Sequence, residues 1–218
     1  MCIRDRVNDY RDKFGSGDYP FAYIQASSMM SNSDVGAIRN QQDYDKPIVN
    51  GTIDTTALIV SYDLGNKSSN TPANKVQIGD RVGLKLARIA PVILYDHNMS
   101  EYSGPIIQSA IFNSGNKVIT LNFTNLGQNG KSVLELLPTI DCDECCNAKD
   151  VFQVSDGKTW NNITSMTINK NFNTLSIGTN VASPASVRYA FANFVECAVF
   201  RNGLNIPSEP FTIMVTTV

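Results

Sequence analysis

Histidine is nearly missing from this chain: His97 is the single one among 218 residues. Tryptophan is equally scarce, with Trp160 alone. Chemistry that needs an imidazole base, or several imidazole ligands, therefore has one residue to draw on. Charge is sparse as well, at 17% of residues with a formal net charge of -2. Lys and Arg are scattered and never run more than two together. That pattern offers no basic stripe to nucleic acid or to an anionic membrane surface. No apolar window approaches the ~18 residues of a membrane span; Ala57-Leu58-Ile59-Val60 is only strand-sized. The expectation is a chain with neither nucleic-acid nor membrane partners.

What is present is 42% hydrophobic sequence, enough for one large or two modest domains. The opening Met1-Cys2-Ile3-Arg4-Asp5-Arg6 lacks the charged, apolar, small-residue order of a signal peptide. Residues 1–6 read as translated sequencing-adaptor read-through, with an ordinary charged tail as the alternative. On the first reading Val7 is the first informative residue, and the start of the protein lies upstream.

Five cysteines occur, and setting Cys2 aside leaves Cys142, Cys145, Cys146 and Cys197. The run Asp141-Cys142-Asp143-Glu144-Cys145-Cys146 has thiolates close enough to share a tetrahedral zinc. The lone histidine and the flanking acids, which suit a solvent loop, weigh against a metal. Asn-x-Ser/Thr acceptors stand at Asn50, Asn66, Asn98, Asn122 and Asn162. Together with an even cysteine count they favour an oxidising, secretory setting, hence disulfides, no metal, and a secreted or lysosomal location. The pairing stays open, since four cysteines allow three connectivities.

Along the chain the grammar changes once. Val7, Tyr10 and Phe14 carry helical spacing, Gly15–Pro20 breaks it, and Phe21–Ala26 is a short apolar run suited to a doubly buried parallel strand. A short helix is expected near Val35–Gln42. Thr55–Asp63 predicts a second buried strand ending in an acid. Ala73–Ala90 predicts a helix with Val76, Val82, Leu86 and Ile89 near helical spacing and basic residues late. Strand, loop and helix in this order imply a doubly wound α/β sheet, whose functional groups gather at the strands' carboxyl ends. From about Pro91 short strand-like runs follow, separated by Gly/Asn turns: Ser109–Phe112, Lys117–Phe123, Ser132–Leu137, Asn173–Ile177, Val187–Val199 and Phe211–Val218. They predict an antiparallel sandwich-like module. The boundary falls within Leu94–Gly104 and divides an α/β part, 7–95, from a β part, 96–218.

Six segments in collinear order resemble the sialate O-acetylesterases, SGNH-type hydrolases that remove acetyl groups from sialic acid hydroxyls. They are Val7–Gln25, Ser61-Tyr62-Asp63-Leu64-Gly65, Pro72–Ala87, Tyr102-Ser103-Gly104-Pro105, Ala185–Phe191 and Pro207–Phe211. The resemblance covers nearly all of the chain after residue 6. It implies the C-terminal remnant of a doubly wound SGNH-type α/β domain followed by a β-sandwich-like domain. It also implies Ser-His-Asp chemistry on O-acetylated sialic acid or a related glycan, without a cofactor. The family's Gly-Gln-Ser-Asn-type nucleophile turn does not occur in these residues. Where the family reads Ile-His-Pro, this chain has Asn70-Thr71-Pro72, so Thr71 stands at the general-base position. A threonine hydroxyl is not basic near neutral pH. Asn66 replaces the second acid of the strand-end motif, while Asp63 keeps the first.

Each remaining candidate has two readings. Asp63 is an active-site acid or a structural cap on its strand. His97, in Tyr95-Asp96-His97-Asn98-Met99, would be a substitute base only if it reached the cleft. Arg188 could pair with a sugar carboxylate in bidentate fashion, or tie up a neighbouring group. Trp160 with Phe152 could form a sugar-stacking platform, or Trp160 could be a core anchor. The whole chain is accordingly an esterase fragment without nucleophile and base, a glycan-binding pseudoenzyme, or a scaffolding β module. Intact-mass analysis before and after reduction is expected to show paired thiols. Stoichiometric zinc in the purified protein contradicts the disulfide assignment.

Overall fold

In the computed structural model, the polar–apolar alternation of Val118–Thr124 becomes a strand that buries Ile119, Leu121 and Phe123 on one face. The structure describes residues 3–15, 17, 21–29, 34–44, 56–66, 75–83, 104–124, 134–139, 151–169, 172–201 and 206–218.

The first part holds helix α1 (Ile3–Phe14), strand β1 (Phe21–Ile24), helix α2 (Val35–Tyr44) and strand β2 (Thr56–Ile59). A 3-10 turn (Tyr62–Leu64) and a helix over 75–83, α3, complete it. Strands β1 and β2 pair in parallel, Phe21 against Thr56 through Ile24 against Ile59. α2 starts where Asp34 accepts a hydrogen bond from Ala37 N at 2.9 Å, an N-cap of the usual kind. Two expectations shift. The strand expected over Thr55–Asp63 ends at Ile59, so Asp63 sits in the 3-10 turn beyond it. In α3 the buried positions are Ile78 and Arg81, three apart on one face, whereas Val76 is 75% exposed.

The second part holds β3 (Ile106–Asn113), β4 (Val118–Thr124), β5 (Leu134–Pro138), β6 (Phe152–Ser155), β7 (Trp160–Asn162) and β8 (Ser165–Asn169). β9 (Thr174–Gly178), β10 (Ser186–Tyr189), β11 (Cys197–Arg201) and β12 (Phe211–Thr217) follow. Eight of them form one sheet in the order β7-β6-β10-β12-β3-β4-β9-β8, and β11 pairs with β5 separately. The sheet's two edges, β7 and β8, are joined by only Ile163 and Thr164, so it must curl back on itself. Antiparallel pairing was the expectation throughout, but β12 runs parallel to β3, which makes the sheet mixed. Turn chemistry fixes registers. Asn113 Oδ1 accepts from Gly115 N and Asn116 N to close β3–β4. Asp156 Oδ1 accepts from Lys158 N and Thr159 N to close β6–β7, around Gly157 at φ 94°.

The strand expected over Val187–Val199 is two strands in two different sheets. It breaks at Ala190, whose φ of 60° is left-handed and cannot continue a strand. The break is where the first part docks. Gly36 in α2 lies so close to the Phe191 carbonyl that a Cβ there would clash with it. Asn193 Oδ1 accepts from Val35 N, and Asn193 O accepts from Met29 N.

One buried cluster spans both parts, because Val60 and Tyr62 pack with Phe112, Phe152, Tyr189 and Phe211. Each such fully buried side chain contributes about 1.5–3 kcal/mol. Within the cluster the proton directions follow from the partners. The Ser208 carbonyl can only accept, so Tyr62 donates to it at 2.9 Å. Tyr189 must then donate to Tyr62 at 2.7 Å, while accepting from Val199 N at 2.7 Å. Burial pushes both phenols well up, so both stay protonated at neutral pH. Tyr62→Phe leaves the Ser208 carbonyl without its donor and the Tyr189 hydroxyl proton without its acceptor, at an expected cost of about 1–3 kcal/mol. The check is the urea midpoint at constant m-value; an unchanged midpoint contradicts this chain of bonds.

Candidate functional site

A parallel sheet directs its strands' carboxyl ends to one side, and ligand-binding groups collect there. In this chain those ends are Gln25–Ser28 after β1 and Val60–Asp63 after β2. Asp63 and Arg81 form a buried bidentate pair. Arg81 Nη1 donates to Asp63 Oδ1 at 2.7 Å, and Nη2 to Oδ2 at 2.5 Å. Arg81 Nη1 also donates to the Val60 carbonyl at 2.9 Å. Their exposures are 4% for Asp63 and 6% for Arg81, so α3 is fastened to the end of β2 by a pair shielded from water. Both oxygens of Asp63 are engaged, which leaves its carboxylate committed to a guanidinium rather than to an imidazole.

The serines beside it are engaged too. Ser61 Oγ donates to the Gln25 carbonyl at 2.6 Å, so in the 3.0 Å contact between Ser27 and Ser61 the donor is Ser27. Ser28 Oγ accepts from Val195 N at 3.1 Å. A nucleophilic serine must hand its proton to a base; the protons of Ser61 and Ser27 go to a carbonyl and to another hydroxyl. Gln25 is different. The residue is 1% exposed, and neither Oε1 nor Nε2 has a partner among the described residues. Arg39, fully buried on α2, donates to the carbonyls of Ala190 (from Nε, 3.3 Å) and Ala192 (from Nη2), while Nη1 has no partner among the described residues. Burial pushes its guanidinium down to about 10, which still leaves it charged at neutral pH.

On the outer face of the large sheet, Arg188, Gln153 and Asn162 stand opposite one another across β10, β6 and β7. Arg188 Nε donates to Gln153 Oε1 at 2.8 Å, and Gln153 Nε2 donates to Asn162 Oδ1 at 3.0 Å. The Arg188 guanidinium lies 4.4 Å from the Trp160 ring centre and 4.5 Å from that of Phe191. The expected platform of Trp160 with Phe152 does not form. Trp160 pairs with Ser155, whereas Phe152, three residues from Ser155, turns to the opposite face and is fully buried in the core.

Several expected residues fall outside the described ones: Thr71, His97, Asn50, Asn98, Cys142, Cys145 and Cys146. Cys197 is fully buried at the start of β11 and its sulfur is disulfide-bonded, with the partner outside the described residues. Of the acceptor asparagines, Asn122 lies in the central strand β4 with Nδ2 on Ser109 Oγ at 2.8 Å, and Asn66 is half-buried in a bridge to Met29. Asn162 is exposed. Among the described residues, no group of three or more His, Cys, Asp or Glu could hold a metal ion, and no helix is long and apolar enough to cross a membrane.

No protein-family model matches the chain, and no curated protein matches it either. Among solved structures, the chain is similar to one described as a novel carbohydrate acetylesterase from Xanthomonas citri, with a TM-score of 0.68 at 19% identity. The likeness is one of fold. It covers 97% of this chain and 45% of that protein, so this chain spans less than half of its length. At that coverage the shared fold takes in both the parallel strands and the curled β sheet.

The residues that the sequence hid are Arg81, Arg39 and Gln25. Arg81 was readable as a cation three residues after Ile78 on the apolar side of a helix. No signal along the chain tied it to Asp63. Asp63→Asn is expected to destabilise the fold by about 3–5 kcal/mol, because it leaves Arg81 buried without a counter-charge. Chemical denaturation checks it; a loss near zero contradicts the structural role.

Proposed function

We propose that this chain is the C-terminal portion of a carbohydrate O-acetylesterase related to the sialate O-acetylesterases, and that it does not hydrolyse esters by itself. The observation that carries the reading is the acetylesterase-like fold over 97% of the chain. The motif order supports O-acetylated sialic acid, or a related glycan, as the substrate of the whole enzyme, and the cysteines with the Asn-x-Ser/Thr acceptors support a secreted or lysosomal location.

The chemistry follows from the carboxyl-end cluster. Acyl transfer needs an oxygen nucleophile, a base to take its proton, and donors for the oxyanion. Ser27 and Ser61 spend their protons within the cluster. Asp63 spends both oxygens on Arg81. Thr71 occupies the position at which the family resemblance calls for histidine. On this reading the cluster is scaffold for a catalytic centre whose nucleophile comes from a part of the enzyme outside these residues. A second reading, a non-catalytic glycan-binding protein, is favoured by the outer row of Arg188, Gln153 and Asn162 beside Trp160.

The test is acetate release from an O-acetylated sialic acid and hydrolysis of p-nitrophenyl acetate. The expected outcome is a rate equal to the blank. Robust hydrolysis that His97→Ala abolishes contradicts the proposal and makes His97 the base.

A further inference from the structure

We infer that Arg188 forms an anion subsite for a carboxylate carried by an acidic sugar, a binding role that rests on the carbohydrate reading above and assigns a residue to the ligand's charge. The guanidinium is fixed before any ligand arrives. Trp160 and Phe191 hold it at 4.4 and 4.5 Å. Gln153 takes its Nε proton at 2.8 Å, and Gln153 is itself steadied by Asn162. The hydrogen bond to Gln153 uses the Nε edge. The Nη1 and Nη2 protons make no hydrogen bond to any described residue, and the residue is partly exposed. A planar fork of paired N–H donors matches the two oxygens of a carboxylate.

Fixing matters for affinity. An unconstrained arginine loses about 0.5–1.5 kcal/mol of rotamer freedom when a ligand immobilises it; here most of that loss is already taken in the folded state. The aromatic clamp also lowers the water density around the cation, which strengthens a charge-assisted bond. The acid whose field acts on Arg188 is Asp34, and its carboxylate is engaged in capping α2 through Ala37 N.

The surroundings fit a sugar. Two strands away, about 10 Å by ordinary sheet spacing, an open groove of about 450 Å³ borders β7. Thr159, Asn161, Asn162, Asn180 and Ser183 line it together with the Asp156 carboxylate and two apolar residues, and the amides and hydroxyls suit sugar hydroxyls. Asn162 belongs to both the groove and the row that ends on Arg188.

The experiment is an amide-resolved NMR titration of the protein with N-acetylneuraminic acid, glucuronic acid, their methyl esters, and neutral N-acetylmannosamine. The Trp160 indole N–H serves as the local probe. The acids are expected to shift the Trp160 and Phe191 signals, with at least 10-fold weaker binding for the methyl esters and the neutral sugar. Arg188→Gln is expected to remove the preference for the acids, and Arg188→Lys to keep part of it because the charge remains without the fork. Dispersed spectra of both variants establish that they are folded. Equal shifts from acids and esters, unaffected by Arg188→Gln, overturn the subsite while leaving the carbohydrate reading intact. Shifts from simple carboxylates such as benzoate that match those of the acidic sugars uphold the subsite and contradict the carbohydrate reading. No shift with any acid overturns the inference.

Discussion

Tyr62 is the residue on which the two parts of this chain depend. It stands three residues beyond β2's last paired position in a short parallel sheet, yet its ring lies in the core of the β part. A parallel pair of four-residue strands has too little burial to stand alone. By reaching into the core and bonding to Tyr189 and Ser208, Tyr62 joins that pair to a much larger hydrophobic interior. The neighbouring residue inherits the consequence. With Tyr62 fixed inward, Asp63 turns to α3 and meets Arg81.

That geometry bears directly on chemistry. A carboxylate at the end of a parallel strand is the place to look for a catalytic acid in a doubly wound sheet. The same carboxylate, buried and chelated by a guanidinium, is a fastening between strand and helix. Breaking such a pair strands a charge in a dry site, which opposes any rearrangement that would free Asp63 for an imidazole. The hydroxyl protons of Ser27 and Ser61 follow the same logic, each held by a near neighbour, while Ser28 Oγ accepts from Val195 N. Unspent capacity lies instead in the Gln25 amide, inside, and in the Arg188 fork, outside.

Much of the architecture was legible where burial imposes a period on the sequence. β3, β4, β9 and β12 alternate because one face meets the core, and β2 buries both Leu58 and Ile59, whereas the apolar run of β1 leaves Ile24 47% exposed. β7 and β8 escaped notice for the opposite reason: they are the sheet's edges and largely exposed, with Met166 and Ile168 of β8 only half-buried. The break at Ala190 was invisible because an alanine, not a glycine, takes the left-handed conformation, held there by contacts with α2. Arg188 stood out as a residue, but its clamp did not, since Trp160 lies 28 positions away and is brought near only by pairing through β6. Asp63 and Arg81 are 18 positions apart in sequence, and nothing local links them.

The central claim is that the parallel strands and the curled β sheet unfold as one cooperative body, which keeps Asp63 locked away. Native-state hydrogen exchange measures this most directly, by comparing amides of Leu58 and Ile59 in β2 with those of Ile119 and Leu121 in β4. The account predicts the same opening free energy and the same denaturant dependence for both sets. A β2 that exchanges through a separate, much easier opening contradicts it.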